Sequence, residues 1–309
     1  MPHAAYDDLP SPPEPAGSPP PGGFVLVSTP LGNLGDISAR ALAALRAADL
    51  ILCEDTRTTA QLCHAFGIHR PLAALHEHNE TARVPALLQM LRAGQCLVLV
   101  SDAGTPLISD PGYALARAVI AAGLPISAVP GANAALLALT LSGLPPHPFL
   151  FMGFPPARHA ARLARFAELR RIEQAGLKAT VIWYEAPHRL AASLADLAAS
   201  FGAREAAVAR ELTKRFEEIR RAPLPELAAY YATTPARGEI TLLIGPAADT
   251  PPASAAELDT VLAAALAHQS LRAAVAQASA LTGWPRGKVY ARALEIKKER
   301  AFNEIAATP

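Results

Sequence analysis

From Phe24 onward, short unbroken apolar runs alternate with stretches in which apolar residues recur every three to four positions. The runs FVLVST (24–29), DLILCE (49–54), LAALHE (72–77), LVLVSD (97–102) and PISAVP (125–130) predict buried strands. The periodic stretches between them predict helices over 36–49, capped by Asp36, from about Asp55–Thr56, over about 80–93 and over 112–122. GANAALLALTLSG (131–143) predicts a fifth. Continuous apolar strands separated by helices specify a parallel sheet covered on both faces. The proline cluster LPPHP (144–148) then breaks the pattern and marks a domain boundary.

A second unit follows. FLFMGF (149–154), KATVIWYE (178–185), AAVAREL (206–212), KRFEEIRR (214–221) and GEITLLIG (238–245) predict a mixed sheet, with helices over 157–176, about 187–200 and 223–232. PAADTPPAS (246–254) has the composition of a linker. Three helical segments come last, over 256–268, 271–283 and 285–300, with Gly283 as a stop and Pro285 at a start. The expected fold class is α/β, with a parallel-sheet N-terminal domain (24–145), a mixed-sheet second domain (146–248) and a small helical appendage (255–309).

Composition changes this picture at one end. Residues 1–23 hold eight of the 29 prolines and few apolar residues, so they predict a disordered tail. A length of 309 residues with 51% hydrophobic residues suits more than one core. The net charge of +1 argues against a wholesale electrostatic grip on nucleic acid, though not against local basic faces. The three cysteines, Cys53, Cys63 and Cys96, form no CxxC pair and suit a reduced cytoplasm. No targeting signal is evident, and no apolar stretch reaches the roughly 18–20 residues of a membrane span.

Among chemical motifs, TPLGNLGD (29–36) lacks GxGxxG, and GWPRGK (283–288) lacks both the spacing and the preceding strand of a phosphate loop. HEHNE (76–80) puts His76 and His78 on one strand face by alternation, half of a metal site, but no third ligand stands at a telling spacing. What remains is a set of polar, glycine-bearing loops at the carboxyl ends of the strands, STPLGN, EDTRTT, HEHNE, SDAGTPLISDPG and PGANAA. Open parallel sheets bind ligands in that crevice, although good turn chemistry explains such loops too. Asp102 ends a strand there as an acceptor for a ligand hydroxyl or amine. Gly104 permits close backbone approach, Thr105 offers a hydroxyl, and Asp110 is expected to cap the next helix.

TPLGNLGDIS, CEDTRTT, HEHNE, VSDAGTPLISDPG and VPGANAALLALTLSGLP, in that order, resemble the tetrapyrrole-methylase superfamily. Within it they resemble the branch that methylates the 2′-hydroxyl of a cytidine in 16S rRNA. YEAPHR (184–189), ARELTK (209–214), GEITLLI (238–244) and LRAAVAQASALTGWPRGKVYARALE extend the match over about residues 24–300. The resemblance implies S-adenosylmethionine (SAM) as methyl donor, held between two α/β domains of a homodimer, in a chain whose cysteine usage and apolar pattern point to the cytoplasm and away from membranes. Superfamily contacts carry over to Leu31, Asp102, Thr105, Asn133 and Ala134, with Gly32 and Gly104 shaping the loops. The chain departs from the family where Ala132-Asn133 follow Pro130-Gly131, and where Ala236 rather than a basic residue precedes Arg237.

Methyl transfer from a sulfonium to a ribose hydroxyl requires alignment and proton removal, and no metal. Candidate bases or orienters are Glu54, Asp55, His76, Glu77, Glu185 and Glu211. Arg57 or Lys214 could hold a phosphate, and each of these residues could instead be a cap or an ion-pair partner. Residues 157–178 and 285–300 each carry six Lys/Arg against two Glu, either solvated faces or phosphate-contacting helices. Two rival functions use the same residues. One is methylation of a tetrapyrrole or a protein side chain, and the other is RNA binding without catalysis.

Overall fold

The computed structural model describes residues 22–247 and 254–306, with side chains only as far as Lys298 in the last helix. Residues 1–21 of the expected tail, residues 248–253 of the expected linker and the Arg300 side chain lie outside the described residues. The chain divides into two compact units, one ending at Ala247 and the other starting at Ala248.

The first unit begins with strands β1 (Gly23–Val27), β2 (Leu50–Cys53), β3 (Leu72–Ala74), β4 (Cys96–Val100) and β5 (Ile126–Val129). Helices α1 (Ala39–Ala47), α2 (Thr56–Ala65), α3 (Glu80–Arg92) and α4 (Tyr113–Ala121) connect them. The strands pair in the order β3-β2-β4-β1-β5, every pair parallel. Val25, Val27, Ile51, Val98 and Val100 face one side with Ala44 and Leu45 of α1. Phe24, Leu52, Leu97 and Leu99 face the other with Leu87 of α3 and Leu115 of α4. Alternate side chains thus enter two separate cores, which is why these strands are apolar at nearly every position.

Helix α5 (Ala134–Ser142) leads into a second sheet of β6 (Phe149–Phe151), β7 (Thr180–Glu185), β8 (Glu205–Arg210), β9 (Glu218–Pro223) and β10 (Ile240–Ile244). The order is β6-β7-β10-β8-β9, with β6–β7 parallel and the other three pairs antiparallel among the described residues. Helices α6 (His159–Gln174), α7 (Leu190–Phe201) and α8 (Leu224–Thr233) cover one face, where Phe166, Trp183, Leu194 and Leu227 are buried. The other face, with Ile182, Ala207 and Leu243, packs on Ala135, Ala138 and Leu139 of α5. That helix was expected to close the first domain, yet it packs on the second sheet. Packing therefore passes to the second sheet at α5, ahead of residues 145/146, and both sheets fall in one unit.

The second unit consists of α9 (Ala255–His268), α10 (Leu271–Thr282) and α11 (Arg286–Ala306). Ser254 and Glu257 form a reciprocal cap at its start, and Gly283 ends α10 in the left-handed region. Leu258, Leu262, Val275, Ala278, Val289 and Ala293 make its core. Arg286, Lys288, Lys297 and Lys298 are exposed, whereas Arg292 is held by Asp259 at 2.7 Å and by Glu295.

The expected fold class, two α/β parts with a parallel and then a mixed sheet plus a helical appendage, is the one observed. Four local expectations are corrected. Asp36 closes a 3-10 turn, and Ser38 caps α1 instead, accepting from the Ala41 amide. Strand β3 stops at Ala74, so His76 and His78 sit in a turn held by Asn79, not on one strand face. Residues 214–217 belong to a turn before β9 rather than to a strand. Finally, α4 is capped by Gly112 with no side-chain bond, so Asp110 does not serve as its cap.

Candidate functional site

Strand β1 hands its connection toward β2, and β4 hands its connection the opposite way, toward β5. The two connections cross, with α1 on one face of the sheet and α4 on the other, and adjacent strands whose connections leave on opposite faces open a crevice at their carboxyl ends. Backbone bonds join the two loops there, Thr29 N–H to the Gly104 carbonyl at 2.8 Å and Gly104 N–H to the Thr29 carbonyl at 3.1 Å. The Thr105 hydroxyl donates to the Ala132 carbonyl at 2.9 Å and lies 3.3 Å from the Ser28 hydroxyl. Three loops distant in sequence therefore form one rigid rim.

Within SDAGTPLISDPG, Leu107 and Ser109 adopt positive φ although neither is glycine. Such strain persists only where surroundings over-determine it. Gly112 is required at the end of this loop, because its φ is +116° and a Cβ there would lie 2.3 Å from the Leu99 side chain.

A cavity of about 350 Å³ lies against this rim. From the first sheet it is lined by Leu31, Asp102, Gly104, Thr105 and Asp110. From the second sheet come Tyr184, Glu185, Glu239 and Thr241, with Ala134 at the start of α5. Of the expected cofactor residues, Leu31, Asp102, Gly104, Thr105 and Ala134 thus meet at one cavity. Gly32 and Asn133 act from behind it. Asn133 Oδ1 caps α5 by accepting from the Leu136 amide at 3.1 Å. A Cβ on Gly32 would lie 2.3 Å from Lys214 Cγ, so the absence of a side chain lets the lysine stem cross the loop.

The expected catalytic residues divide differently. Asp55 caps α2 through the Arg57 amide at 2.8 Å and pairs with the Arg57 guanidinium at 2.6 Å. That hydrogen bonding holds the Asp55 carboxyl at about 2. Lys214 Nζ is divided between Glu211 at 3.0 Å and Glu239 at 3.1 Å. Glu185 reaches the cavity wall, but its carboxylate is fully buried and occupied. One oxygen accepts from the Ala186 amide at 2.8 Å and from Arg189 Nε at 2.6 Å, and the other accepts from the Ser193 hydroxyl. These three arrangements suit fixed scaffolding. Glu54 is exposed on the β2 end, and His76 and Glu77 stay in the turn after β3.

Asp102 Oδ1 accepts from the Asp55 amide at 3.2 Å, tying two loops together. Burial, beyond what that bond offsets, raises the Asp102 pKa. Partial desolvation by the neighbouring loops and the charges of Asp102 and Glu77 raise Glu54. Burial, then Glu54 and Asp102, push Asp110 up to about 7. Sequence reasoning assigned Asp110 to helix capping and did not single out Tyr184, whose ring stacks edge-on with Phe151 and Phe154. Gly112 was the available signal for Asp110, since a left-handed residue at that position displaces the cap by two residues.

Asp110 makes stability depend on pH in a defined direction. Its pKa is raised in the folded state, so the folded protein binds more protons than the unfolded chain between about pH 4 and 7. Its contribution is fully present below about pH 4 and is lost as pH rises through about 7. In ligand-free protein, Asp110→Asn should therefore melt higher than the parent at pH 8, with the difference vanishing near pH 4. Thermal melts across that range check this, and parallel pH profiles for the two proteins would refute it.

Among the described residues no group of three or more His, Cys, Asp or Glu could hold a metal ion, and no helix is long and apolar enough to cross a membrane.

The family model described as Tetrapyrrole (Corrin/Porphyrin) Methylases matches residues 23–228, and that described as RsmI C-terminal HTH domain matches residues 252–297. The fold is similar to the crystal structures of diphthine synthase (TM-score 0.56, 16% identity, 72% of this chain and 89% of that one) and the methyltransferase CobJ (TM-score 0.54, 22% identity, 74% and 95%). It also resembles uroporphyrin-III C-methyl transferase from Thermus thermophilus complexed with S-adenyl homocysteine (TM-score 0.52, 20% identity, 72% and 97%). In sequence the chain is 45% identical to ribosomal RNA small subunit methyltransferase I of Mesorhizobium japonicum over 88% of its length and 91% of the relative's. It is 43% identical to that of Pseudomonas aeruginosa (89% and 97%) and 44% to that of Escherichia coli O157:H7 (89% and 95%). The chain belongs to the tetrapyrrole methylase family and, within it, to the ribosomal RNA small subunit methyltransferase I family.

Proposed function

We propose that this chain transfers the methyl group of SAM to the 2′-hydroxyl of a cytidine ribose in 16S rRNA, acting on the small ribosomal subunit in the cytoplasm as a homodimer. The acid-edged cavity at the switch point carries this reading, in a chain similar over nearly nine-tenths of its length to rRNA methyltransferases. The negative charge of Asp102 raises the pKa of Glu54, and the charges of Glu54 and Asp102 raise that of Asp110 on the cavity wall. A ligand bearing a sulfonium and an ammonium relieves that repulsion, so the residues present fit SAM. Bound there, SAM supplies an electrophilic methyl group. Asp102 accepts hydrogen bonds from the ligand's hydroxyl or amine. Leu31 and Ala134 present apolar walls, and the rim closed by Thr29, Gly104 and Thr105 fixes the reacting geometry. With Asp55 and Glu185 engaged elsewhere, we assign the acceptance of the ribose proton to Asp110 on the cavity wall. Edge strands β5 and β6 expose Ile126 and Phe149, apolar surface suited to a second copy.

The test is methyl transfer from labelled SAM to small subunits purified from a strain lacking the enzyme, followed by mass mapping of ribose methylation. One 2′-O-methylcytidine in 16S rRNA is expected, from a protein with twice the chain mass by light scattering. Label on a base, on a protein or on no product would refute the reading.

A further inference from the structure

A second cavity, of about 580 Å³, opens on the face of the second sheet that carries α7 and α8. It shares Pro187 and Gly238 with the first cavity. Those residues stand just beyond Glu185 and Ile240, which pair across β7 and β10, so the two cavities meet at one end of that strand pair. The wall is apolar, formed by Leu190, Ala191, Ala232 and Pro235. Tyr231 also lines it at 4% exposure, and among the described residues its hydroxyl has no hydrogen-bond partner, which a buried phenol seldom lacks. His188 and Arg237 are exposed at the rim, and among the described residues neither takes part in an ion pair.

We infer that this second cavity receives the nucleotide adjoining the target in the RNA strand, its base against the apolar wall and its phosphate on Arg237 and His188. The inference rests on the function proposed above. A target ribose reacts while still joined to its neighbours, so a strand that delivers it to the first cavity must lay the next nucleotide on whatever borders that cavity. The Asp102 and Asp110 side repels phosphate, whereas the Pro187 and Gly238 side carries the Arg237 guanidinium and the His188 imidazole, and the neighbouring Glu239 is paired with Lys214. Single-stranded RNA is gripped in this way, by apolar and aromatic surface for unstacked bases and by cationic groups for the backbone. The Arg-Gly step that departs from its family in having Ala236 before it thus keeps one cation, at the place where the strand would pass.

The full-length protein tests this with Arg237→Gln, Arg237→Lys and Ala232→Trp, the last filling the slot from an exposed position. Three readouts are needed: SAM affinity by calorimetry, kcat and KM on small subunits, and the slope of log(kcat/KM) against log salt. Arg237→Gln should raise KM about fivefold, leave kcat within about twofold and SAM affinity unchanged, and flatten the salt slope by about 0.7–1. Arg237→Lys should keep the parental slope. Ala232→Trp should raise KM without changing the slope. An active parent with KM and slope unchanged in both Arg237→Gln and Ala232→Trp would overturn the subsite alone. A raised KM with an unchanged slope in Arg237→Gln would signal a protein contact and overturn the nucleotide assignment. A parent inactive on subunits would remove the proposed function and the subsite with it.

Discussion

Asp102→Ala should weaken SAM binding by about tenfold or more, the equivalent of roughly 1.5–3 kcal/mol for a charged hydrogen-bond acceptor. The aspartate stands two residues past the end of β4, in the loop at the switch point, and lines the cavity, so its loss removes an acceptor at the wall of the site. It also releases the Asp55 amide, loosening the start of α2 beside the site. The two effects separate in Asp102→Asn, whose amide oxygen still accepts from Asp55 while the charge is gone. Asn should therefore retain the parental melting temperature and lose most of the affinity. Calorimetry on folded protein decides the matter. If Asp102→Ala binds SAM as tightly as the parent, the cofactor does not sit against β4.

Glu185→Ala should destabilise the protein by about 3–5 kcal/mol, the range found when one partner of a buried ion pair is removed. The Glu185 carboxylate is fully buried, and its loss leaves the Ser193 hydroxyl and the Ala186 amide without their acceptor and the Arg189 guanidinium with the Pro155 carbonyl in place of an anion. For a chain of this size that corresponds to a fall in melting temperature on the order of 10 °C. Combining it with Arg189→Ala should recover part of the loss, because the uncompensated cation is then absent. Urea unfolding of the four proteins measures both quantities. Should Glu185→Ala unfold within about 1 kcal/mol of the parent and still lose all methyl transfer, Glu185 is a catalytic group rather than a scaffold.

That contrast between Asp102 and Glu185 separates what local sequence encodes from what it does not. The strands of the first sheet are legible because both faces are buried, which leaves an unbroken apolar signature in FVLV, LILC and CLVLV. The loops that close the site are legible too, since each follows such a run and opens a helix. The order of the strands then places Asp102, Gly104 and Thr105 at a crevice. Side-chain roles at that crevice are another matter. Asp110 precedes a helix and carries the residue type of a cap, yet the left-handed backbone at Gly112 moves the cap and turns the acid into the cavity wall. Glu185 and Lys214 carry the residue types of catalysis, yet Arg189 with Ser193, and Glu211 with Glu239, occupy them. Gly32 owes its place to a lysine stem 182 residues away, and α5 follows the first sheet in sequence but packs on the second. Periodicity records which face of an element meets apolar surroundings, a property averaged over many residues. The task of a single carboxylate depends on which groups a distant part of the chain brings within about 3 Å, and no local pattern carries that distance.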